Sequence, residues 1–321
     1  MSARDPGRFI IATRASELAL RQASEVQSAL TARGISSELR PYRTVGDKRL
    51  GEPLSAIGAK GLFTKELETD LAAGTVDCCV HSLKDLPTES PAALEVVALL
   101  RREDPRDALV VHGSTAASTL DELPPGSRVG TSSLRRRALL LERRPDLEGM
   151  ELRGNVPTRI KKVDDGSVHA AILAAAGIHR LGASHRISSY FDAPEWLPAA
   201  GQGAIAIQIR AADQRARDLL APLGDIETMI DVRAERAFLA ALEGGCQVPI
   251  GALVVHDANA RVLHGFIADL AGQRVIRGQT VLHVGEPELT GVRLAKELRD
   301  RGATEILESL RRAAHLAPQP E

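Results

Sequence analysis

Aromatic residues and cysteines are scarce in this chain of 321 residues. Aromatic side chains make up 2% of it, which leaves few surfaces on which nucleic-acid bases could stack. Its three cysteines, two of them adjacent at Cys78 and Cys79, do not form a disulfide framework. The sequence contains no CxxC or HExxH motif and its nine histidines lack ligand spacing, so it does not support a metal site.

Long apolar runs and an excess of one charge are also missing. No stretch approaches the ~18 apolar residues of a membrane-spanning helix, and the polar start of the chain lacks the apolar segment of a signal peptide. The 41 basic and 42 acidic residues give a net charge of -1, which exerts no overall attraction toward nucleic acid or a membrane. We therefore expect a cytoplasmic globular protein with neither of these partners.

Strand and helix patterns alternate along the first two thirds of the chain. A short apolar strand at 9–12 precedes a helical pattern over 18–30, and similar pairs recur from 108 onward, including an alanine-rich helix predicted near 168–176. This alternation is typical of mostly parallel sheets. Beyond Gly245 the pattern changes to short strands, among them 274–276 and 280–283, followed by helices, which predicts a small α+β domain.

Three places share one pattern, in which a strand ends, small polar residues follow and a helix begins beside arginine. A helix N-terminus presents unpaired N–H groups and a partial positive charge, and arginine adds two parallel hydrogen bonds to a carboxylate or phosphate. Ordinary helix capping with exposed arginines would give the same pattern. Three such places together predict a ligand with several negative groups. The three places are residues 12–16, 129–137 and 152–159.

A charged turn follows the strand pattern that ends at Val80. Ligands of α/β sheets bind at the carboxyl ends of strands, where Lys84 and Asp85 lie. A carboxylate there could orient a cationic N–H group or stabilise a developing positive charge. The alternative is an ordinary surface turn before Pro87, and His81 by itself indicates a hydrogen-bonded structural histidine rather than a general base.

Glycine-containing loops supply the remaining candidates. Cys246 follows a glycine pair on a loop, where its thiol could be a covalent attachment point or an incidental thiol. Lys60 lies in a loop at 58–61 that could close over an anion, although it lacks the spacing of a phosphate-binding loop. Likewise, Gly201-Gln202-Gly203 lacks the third glycine of a dinucleotide-binding fingerprint.

These residues leave two kinds of protein open. One is an enzyme that acts on a polycarboxylate, and the other is a hinged binding module for an anion that performs no chemistry. Asp85 and Cys246 favour the enzyme, because a binding module needs neither a carboxylate at the ligand edge nor a reactive thiol.

Ten motifs of this chain resemble those of the porphobilinogen deaminase (hydroxymethylbilane synthase) family. They occur in the family's order, cover most of residues 9–253 and include HSLKDLPTE and GGCQVPIGA, each informative alone. The others are IATRASELAL, TVGD, GAKGLFTKELE, RED-RDALV, VGTSSLRRRA, LRGNVPTR, AAAGIHRLG and PAAGQGAIAIQ. Small departures from the family pattern are Ala59, where glycine is expected, and Pro157.

The resemblance implies an α/β protein with two hinged lobes like those of periplasmic binding proteins, mixed, mostly parallel sheets and a small C-terminal α+β domain. It implies domain 1 at 1–103 with 201–221, domain 2 at 107–198 and domain 3, which carries the cysteine, at 226–321. It also implies a monomeric transferase of tetrapyrrole and heme biosynthesis that can hand its product to the next enzyme.

The implied reaction joins four porphobilinogen units head to tail, releases ammonia at each step and yields the linear tetrapyrrole hydroxymethylbilane. Its primer is a dipyrromethane cofactor held by a thioether on the cysteine that matches Cys246. Asp85 matches the catalytic aspartate, and Lys60 belongs to the mobile loop over the cleft, at 58–63. The residues that match carboxylate-binding arginines and supporting polar contacts are Arg14, Arg135, Arg136, Arg153, Arg159 and Arg180, with Ser16, Ser82, Lys84 and Ser133.

Overall fold

The structure is a computed structural model that describes residues 8–44, 46, 64–242, 248–257 and 260–316, with the backbone alone at 313–316. Lys60 and Cys246, together with the predicted mobile loop at 58–63, lie outside the described residues. The chain divides into two compact units. Described residues of the first unit fall within Met1–Gly51, Lys60–Glu103 and Gly203–Met229, and those of the second within Asp104–Gln202 and Ile230–Glu321. The three-domain boundaries stay a prediction.

Strands and helices alternate through most of the described chain. The strands are β1 (Phe9–Arg14), β2 (Ser37–Tyr42), β3 (Cys78–Ser82), β4 (Leu94–Leu99), β5 (Asp107–Val111), β6 (Arg128–Gly130), β7 (Glu148–Met150), β8 (Ala170–Ala174), β9 (Ser189–Phe191), β10 (Ile205–Arg210), β11 (Ile250–His256), β12 (Arg261–Ala268) and β13 (Val275–Val281). The α-helices are α1 (Glu17–Thr31), α2 (Lys65–Ala72), α3 (Leu134–Arg143), α4 (Val156–Asp164), α5 (Ala175–Arg180), α6 (Gln214–Leu220), α7 (Ile226–Ala241), α8 (Pro287–Leu298) and α9 (Thr304–Leu316). Among these helices none is long and apolar enough to cross a membrane.

A five-stranded sheet in the order β2-β1-β3-β10-β4 lies at the centre of the first unit. β1 pairs in parallel with β2 and β3, whereas β10 runs antiparallel to β3 and β4. Successive residues of β1 and β10 are buried on both faces of the sheet, which explains why these strands show apolar runs instead of alternation. The carboxyl ends of the parallel strands β1 and β3 therefore meet at one edge.

The second unit contains a five-stranded sheet in the order β7-β6-β8-β5-β9. Here too, two pairings are parallel and two are antiparallel, so the prediction of an α/β protein with mixed sheets is confirmed. The expectation that these sheets are mostly parallel is wrong, because each contains equal numbers of the two kinds of pairing. The alanine-rich helix predicted near 168–176 is wrong, because Ala170–Ala174 is the central strand β8 and the helix begins at Ala175. Burial between neighbouring strands favours small apolar side chains and overrides the helical preference of alanine.

The small C-terminal α+β part is confirmed as the sheet β11-β12-β13 with helices of the same unit. The two strands predicted at 274–276 and 280–283 form one continuous strand, β13. This sheet packs on α3: Gly272 in the β12–β13 hairpin has a φ of +68°, and a Cβ there would lie 2.3 Å from Ala138 O. Only glycine permits both that conformation and that approach. Arg277 of β13 also pairs with Glu142 of α3 at 2.5–2.6 Å.

Candidate active site

Each of the three predicted helix N-termini begins with a capping side chain. The side chains of Ser16, Ser133 and Asn155 accept hydrogen bonds from first-turn N–H groups of α1, α3 and α4 at 3.4, 3.5 and 2.9 Å. Pro157 fits the first turn of α4, because N–H groups at that position have no partner within a helix. The strand–cap–helix pattern is therefore confirmed at all three places.

In the first unit the end of β3 leads directly into the predicted charged turn. Leu83–Asp85 form a short 3-10 helix, which places Lys84 and Asp85 just beyond the strand, both of them half-buried. Among the described residues, no hydrogen bond or ion pair reaches the carboxylate of Asp85. Its oxygens are therefore open to a ligand.

Ser82, the last residue of β3, is tied to α1. The Gln22 Nε2 donates to Ser82 Oγ at 2.9 Å, and the Ser82 hydroxyl is 3.1 Å from the Gln22 Oε1 that can accept from it. Gln22 is 4% exposed and was not predicted. Its sequence signal is a polar residue on the otherwise apolar face of a helix, between Ala19 and Val26. The contact fixes the strand end against the helix that follows Arg14.

His81 lies beneath this edge as a neutral, hydrogen-bonded side chain. Burial lowers the pKa of His81 to about 4, and the nearby charge of Arg14 acts in the same direction. The His81 Nε2 lies 3.1 Å from Gln208 Oε1, and Gln208 Nε2 donates to Glu68 Oε1 at 3.0 Å. The interpretation of His81 as a structural histidine is confirmed. Arg14 itself ends β1 and is half-buried.

In the second unit, the two arginines that begin α3 are buried around one carboxylate. Arg135 and Arg136 are 4% and 5% exposed, and Asp107 at the start of β5 has no exposed surface. The Asp107 carboxylate accepts from Arg135 Nη1 and from Arg136 Nη2, each at 2.7 Å. Burial alone would raise the pKa of Asp107, but the charges of the two guanidinium groups hold it well below its usual range. Asp107 is therefore ionised and holds both arginines.

Three further predicted arginines lie half-buried at helix ends of the same unit. Arg153 precedes α4, with Nη1 at 3.8 Å from the Glu151 carboxylate. Arg159 lies in α4 and its Nε donates to Gly154 O at 2.8 Å. Arg180 is the last residue of α5. The structure thus brings Arg153 and Arg159 to the N-terminal end of α4.

Sequence reasoning missed the residues that organise the buried arginines. Asp107 and Gln202 both occur inside family motifs without a predicted role, and Gln202 also lies in a dinucleotide-binding fingerprint that is incomplete. In the structure Gln202 Nε2 donates to Asp107 Oδ1 at 2.8 Å, and Trp196 Nε1 donates to Asp107 Oδ2 at 2.9 Å. The available signal for Asp107 was a single acidic residue at the head of an apolar strand.

Two of the solved structures that match this chain are binding proteins of low sequence identity. The methionine-binding protein MetQ matches with a TM-score of 0.45 and 15% identity, over 74% of this chain and 95% of that one. A periplasmic substrate-binding protein of an ABC transporter from Coxiella burnetii matches with a TM-score of 0.43 and 15% identity, over 69% of this chain and 94% of that one.

Sequence comparisons identify the family. The family profile described as "Porphobilinogen deaminase, dipyromethane cofactor binding domain" matches residues 9–218, and the profile "Porphobilinogen deaminase, C-terminal domain" matches residues 229–300. A porphobilinogen deaminase of Syntrophobacter fumaroxidans (strain DSM 10017 / MPOB) is 46% identical over 305 residues, which are 94% of this chain and 98% of that protein. This chain therefore belongs to the porphobilinogen deaminase family, a family of transferases with a dipyrromethane-binding domain.

Proposed function

We propose that this chain is a hydroxymethylbilane synthase, which joins four porphobilinogen units head to tail with release of ammonia. The observation that carries the proposal is the open carboxylate of Asp85 at the end of β3, in a chain of the porphobilinogen deaminase family. An unneutralised carboxylate repels an anionic ligand, so a module that only binds anions gains nothing from it.

The residue types at these strand and helix ends fit a polycarboxylate such as dipyrromethane. Each pyrrole ring carries an acetate and a propionate, for which arginine is the most suitable partner. The buried Nε of Arg135 has no hydrogen-bond partner among the described residues, so its donor capacity is unused there. When bound, dipyrromethane supplies the pyrrole on which the chain grows, and we propose Cys246 as its thioether attachment. The proposed carboxylate contacts are Arg14, Ser16, Lys60, Ser82, Lys84, Ser133, Arg135, Arg136, Arg153, Arg159 and Arg180.

Asp85 is the proposed catalytic residue. Loss of ammonia from porphobilinogen leaves a positive charge that is shared with the ring nitrogen of the pyrrole. A carboxylate that accepts a hydrogen bond from the pyrrole N–H stabilises this charge more than it stabilises the neutral substrate, which lowers the barrier. The arginines hold the acetate and propionate groups, which limits the orientations that the pyrrole ring can adopt.

The first test is the intact mass of the purified protein with peptide mapping. We expect an added mass of two deaminated porphobilinogen units on the peptide that contains Cys246. Cys78 and Cys79 serve as internal controls, because burial raises the pKa of both thiols and they should stay unmodified. Cys246→Ser should fold but lack both the added mass and normal turnover.

Two results would contradict the proposal. One is a Cys246→Ser protein with normal turnover, which would show that Cys246 is not the attachment residue of the cofactor. The other is a wild-type protein that neither gains mass nor releases ammonia when porphobilinogen is added. The remaining interpretation would then be a module that binds an anion without chemistry.

The quaternary structure and cellular location belong to the same proposal. The family resemblance supports a cytoplasmic monomer that binds neither nucleic acid nor a membrane and hands its product to the next enzyme. Light scattering of the purified protein should give the mass of a single chain, and a stable dimer would contradict this part.

A further inference from the structure

One carboxylate in the second unit receives more donors than it can satisfy. Asp107 Oδ1 lies 2.7–3.3 Å from donor atoms of Arg135, Arg136 and Gln202. Oδ2 accepts from Arg135 Nη1 at 2.7 Å and from Trp196 Nε1 at 2.9 Å. A carboxylate offers about four acceptor sites, and Asp107 has no exposed surface at which water could take over a donor. The donors therefore compete, and the 3.3 Å contact of Arg135 Nη2 is the weakest of them.

The same cluster keeps an unneutralised positive charge. Two guanidinium groups share the single carboxylate of Asp107, so the three side chains carry a net charge of +1 while almost completely buried. Burial, together with the charge of Arg136, lowers the pKa of Arg135, and the attraction of Asp107 only partly offsets this lowering. A second carboxylate, supplied by a ligand, would restore neutrality.

Asp107 occupies only one edge of the Arg135 guanidinium. It accepts from Nη1 and Nη2, at the end of the group, and Leu197 O accepts the other Nη1 hydrogen at 2.8 Å. The Nε is buried and has no partner among the described residues. The side formed by Nε and Nη2 is the second edge at which a guanidinium binds a carboxylate through two parallel hydrogen bonds. Asp107 therefore leaves the Nε of that edge unpaired among the described residues.

Gln202 completes the cluster without changing its charge. Its Nε2 donates to Asp107 Oδ1 and to Pro105 O, both at 2.8 Å, and its Oε1 lies 3.4 Å from Arg136 Nη2. An amide matches an acceptor on one side and a donor on the other. A carboxylate at this position would face two acceptors and would also neutralise the arginines in place of a ligand.

We propose that Asp107 and Gln202 are positioning residues for the carboxylates of the substrate. Asp107 fixes the end of the Arg135 guanidinium and leaves its Nε–Nη2 edge for a ligand carboxylate, while the neutral Gln202 preserves the positive charge that attracts it. Both residues act through the arginines and touch no ligand. The identity of the ligand, porphobilinogen or the chain grown from it, rests on the proposed function, whereas the preference for carboxylates does not.

Two substitutions of Gln202 separate charge from packing. Gln202→Glu and Gln202→Met both remove the amide at similar volume, but only glutamate adds a negative charge. We expect Gln202→Glu to raise KM for porphobilinogen about tenfold with kcat within about threefold, because binding common to substrate and transition state is lost. Gln202→Met also removes the Gln202 hydrogen bonds to Asp107 and Pro105, but it adds no charge and Asp107 keeps its donors from Arg135, Arg136 and Trp196. It should therefore raise KM less than about threefold.

A second measurement requires no turnover. Trp196 is the single tryptophan of the chain and donates directly to Asp107, so its fluorescence reports on this cluster. Citrate, a tricarboxylate that cannot be condensed, should change the emission of Trp196 in the wild-type protein. Its apparent Kd should be about tenfold weaker in Gln202→Glu and much less affected in Gln202→Met.

Glu142→Gln is the matched control, because it removes an ion pair with Arg277 from the same helix and leaves the cluster intact. It should leave KM and the citrate Kd within about twofold of wild type. If the two Gln202 variants change KM equally, or if Glu142→Gln changes it as much, the cluster only stabilises the fold and the proposal is wrong. The citrate Kd could differ between the two Gln202 variants although the wild-type protein does not turn over porphobilinogen. In that case Asp107 and Gln202 still position arginines for carboxylates, and the proposed function is wrong.

Discussion

Asp85 in the first unit and Asp107 in the second both adjoin a buried strand, yet their surroundings are opposite. Asp85 is half-buried beyond the end of β3, and none of the described residues forms a hydrogen bond or ion pair with its carboxylate. Asp107 begins β5 without exposed surface and receives hydrogen bonds from four side chains. A saturated carboxylate holds other groups in place, whereas an open one can meet charge that develops on a ligand.

Buried titratable groups of the two units provide a second contrast. The first buries His81 in its neutral form, which needs no counter-ion. The second buries Arg135, Arg136 and Asp107 as ions, which are stable there only as a set. The stability contributed by His81 in the first unit should therefore depend on pH. The stability contributed by the ion cluster in the second unit should depend on the presence of all three of its side chains.

The largest effect on stability is expected from Asp107→Asn. Asparagine keeps the shape but leaves two buried guanidinium groups without a counter-charge, so the free energy of unfolding should fall by about 3–5 kcal/mol in urea denaturation. The control is Asp192→Asn, which removes a 71% exposed partner of Arg106 and should cost less than about 1 kcal/mol. Equal losses in the two variants would remove the contrast between buried and open carboxylates.

A smaller effect, confined to acid, is expected from His81→Gln. Between the folded pKa of about 4 and the unfolded value of about 6.5, the unfolded chain binds a proton that the folded chain does not. The stability that the neutral His81 contributes is therefore complete above pH ~6.5 and decreases as the pH falls toward 4, by at most ~1.4 kcal/mol per pH unit. Urea denaturation between about pH 4.5 and 7.5 should give a shallower slope for the variant. Parallel slopes would assign the acid sensitivity to other groups.

Both units contain helices with a serine cap, and removal of these caps is expected to have the smallest effect on stability. Ser16→Ala and Ser133→Ala should each lower the free energy of unfolding by ~1 kcal/mol, because each removes one acceptor for a first-turn N–H group. Threonine at either position should restore most of the loss. A decrease in the free energy of unfolding above about 3 kcal/mol at one cap would show that this serine does more than accept one capping hydrogen bond.

Local features could be predicted from the sequence, and long-range ones could not. The caps Ser16, Ser133 and Asn155 act on N–H groups three residues away, so a strand–cap–helix pattern reveals them. The strand β8 was misassigned, since burial between other strands outweighs the local preference of alanine. The partners of Asp107 lie 28 and 95 residues away at Arg135 and Gln202, and no local pattern links them. The unpaired Nε of Arg135 likewise depends on packing among distant segments of the chain.

The most direct test of the account is steady-state kinetics of Asp85→Asn, on protein whose intact mass shows bound dipyrromethane. Asparagine keeps the shape of the side chain and removes the charge that would stabilise the pyrrole cation. We expect kcat to fall by about two to three decades and KM to stay within about threefold of wild type. The free energy of unfolding should be unchanged, because Asp85 has no described partner to lose. A kcat near that of the wild type would contradict the proposed role of Asp85.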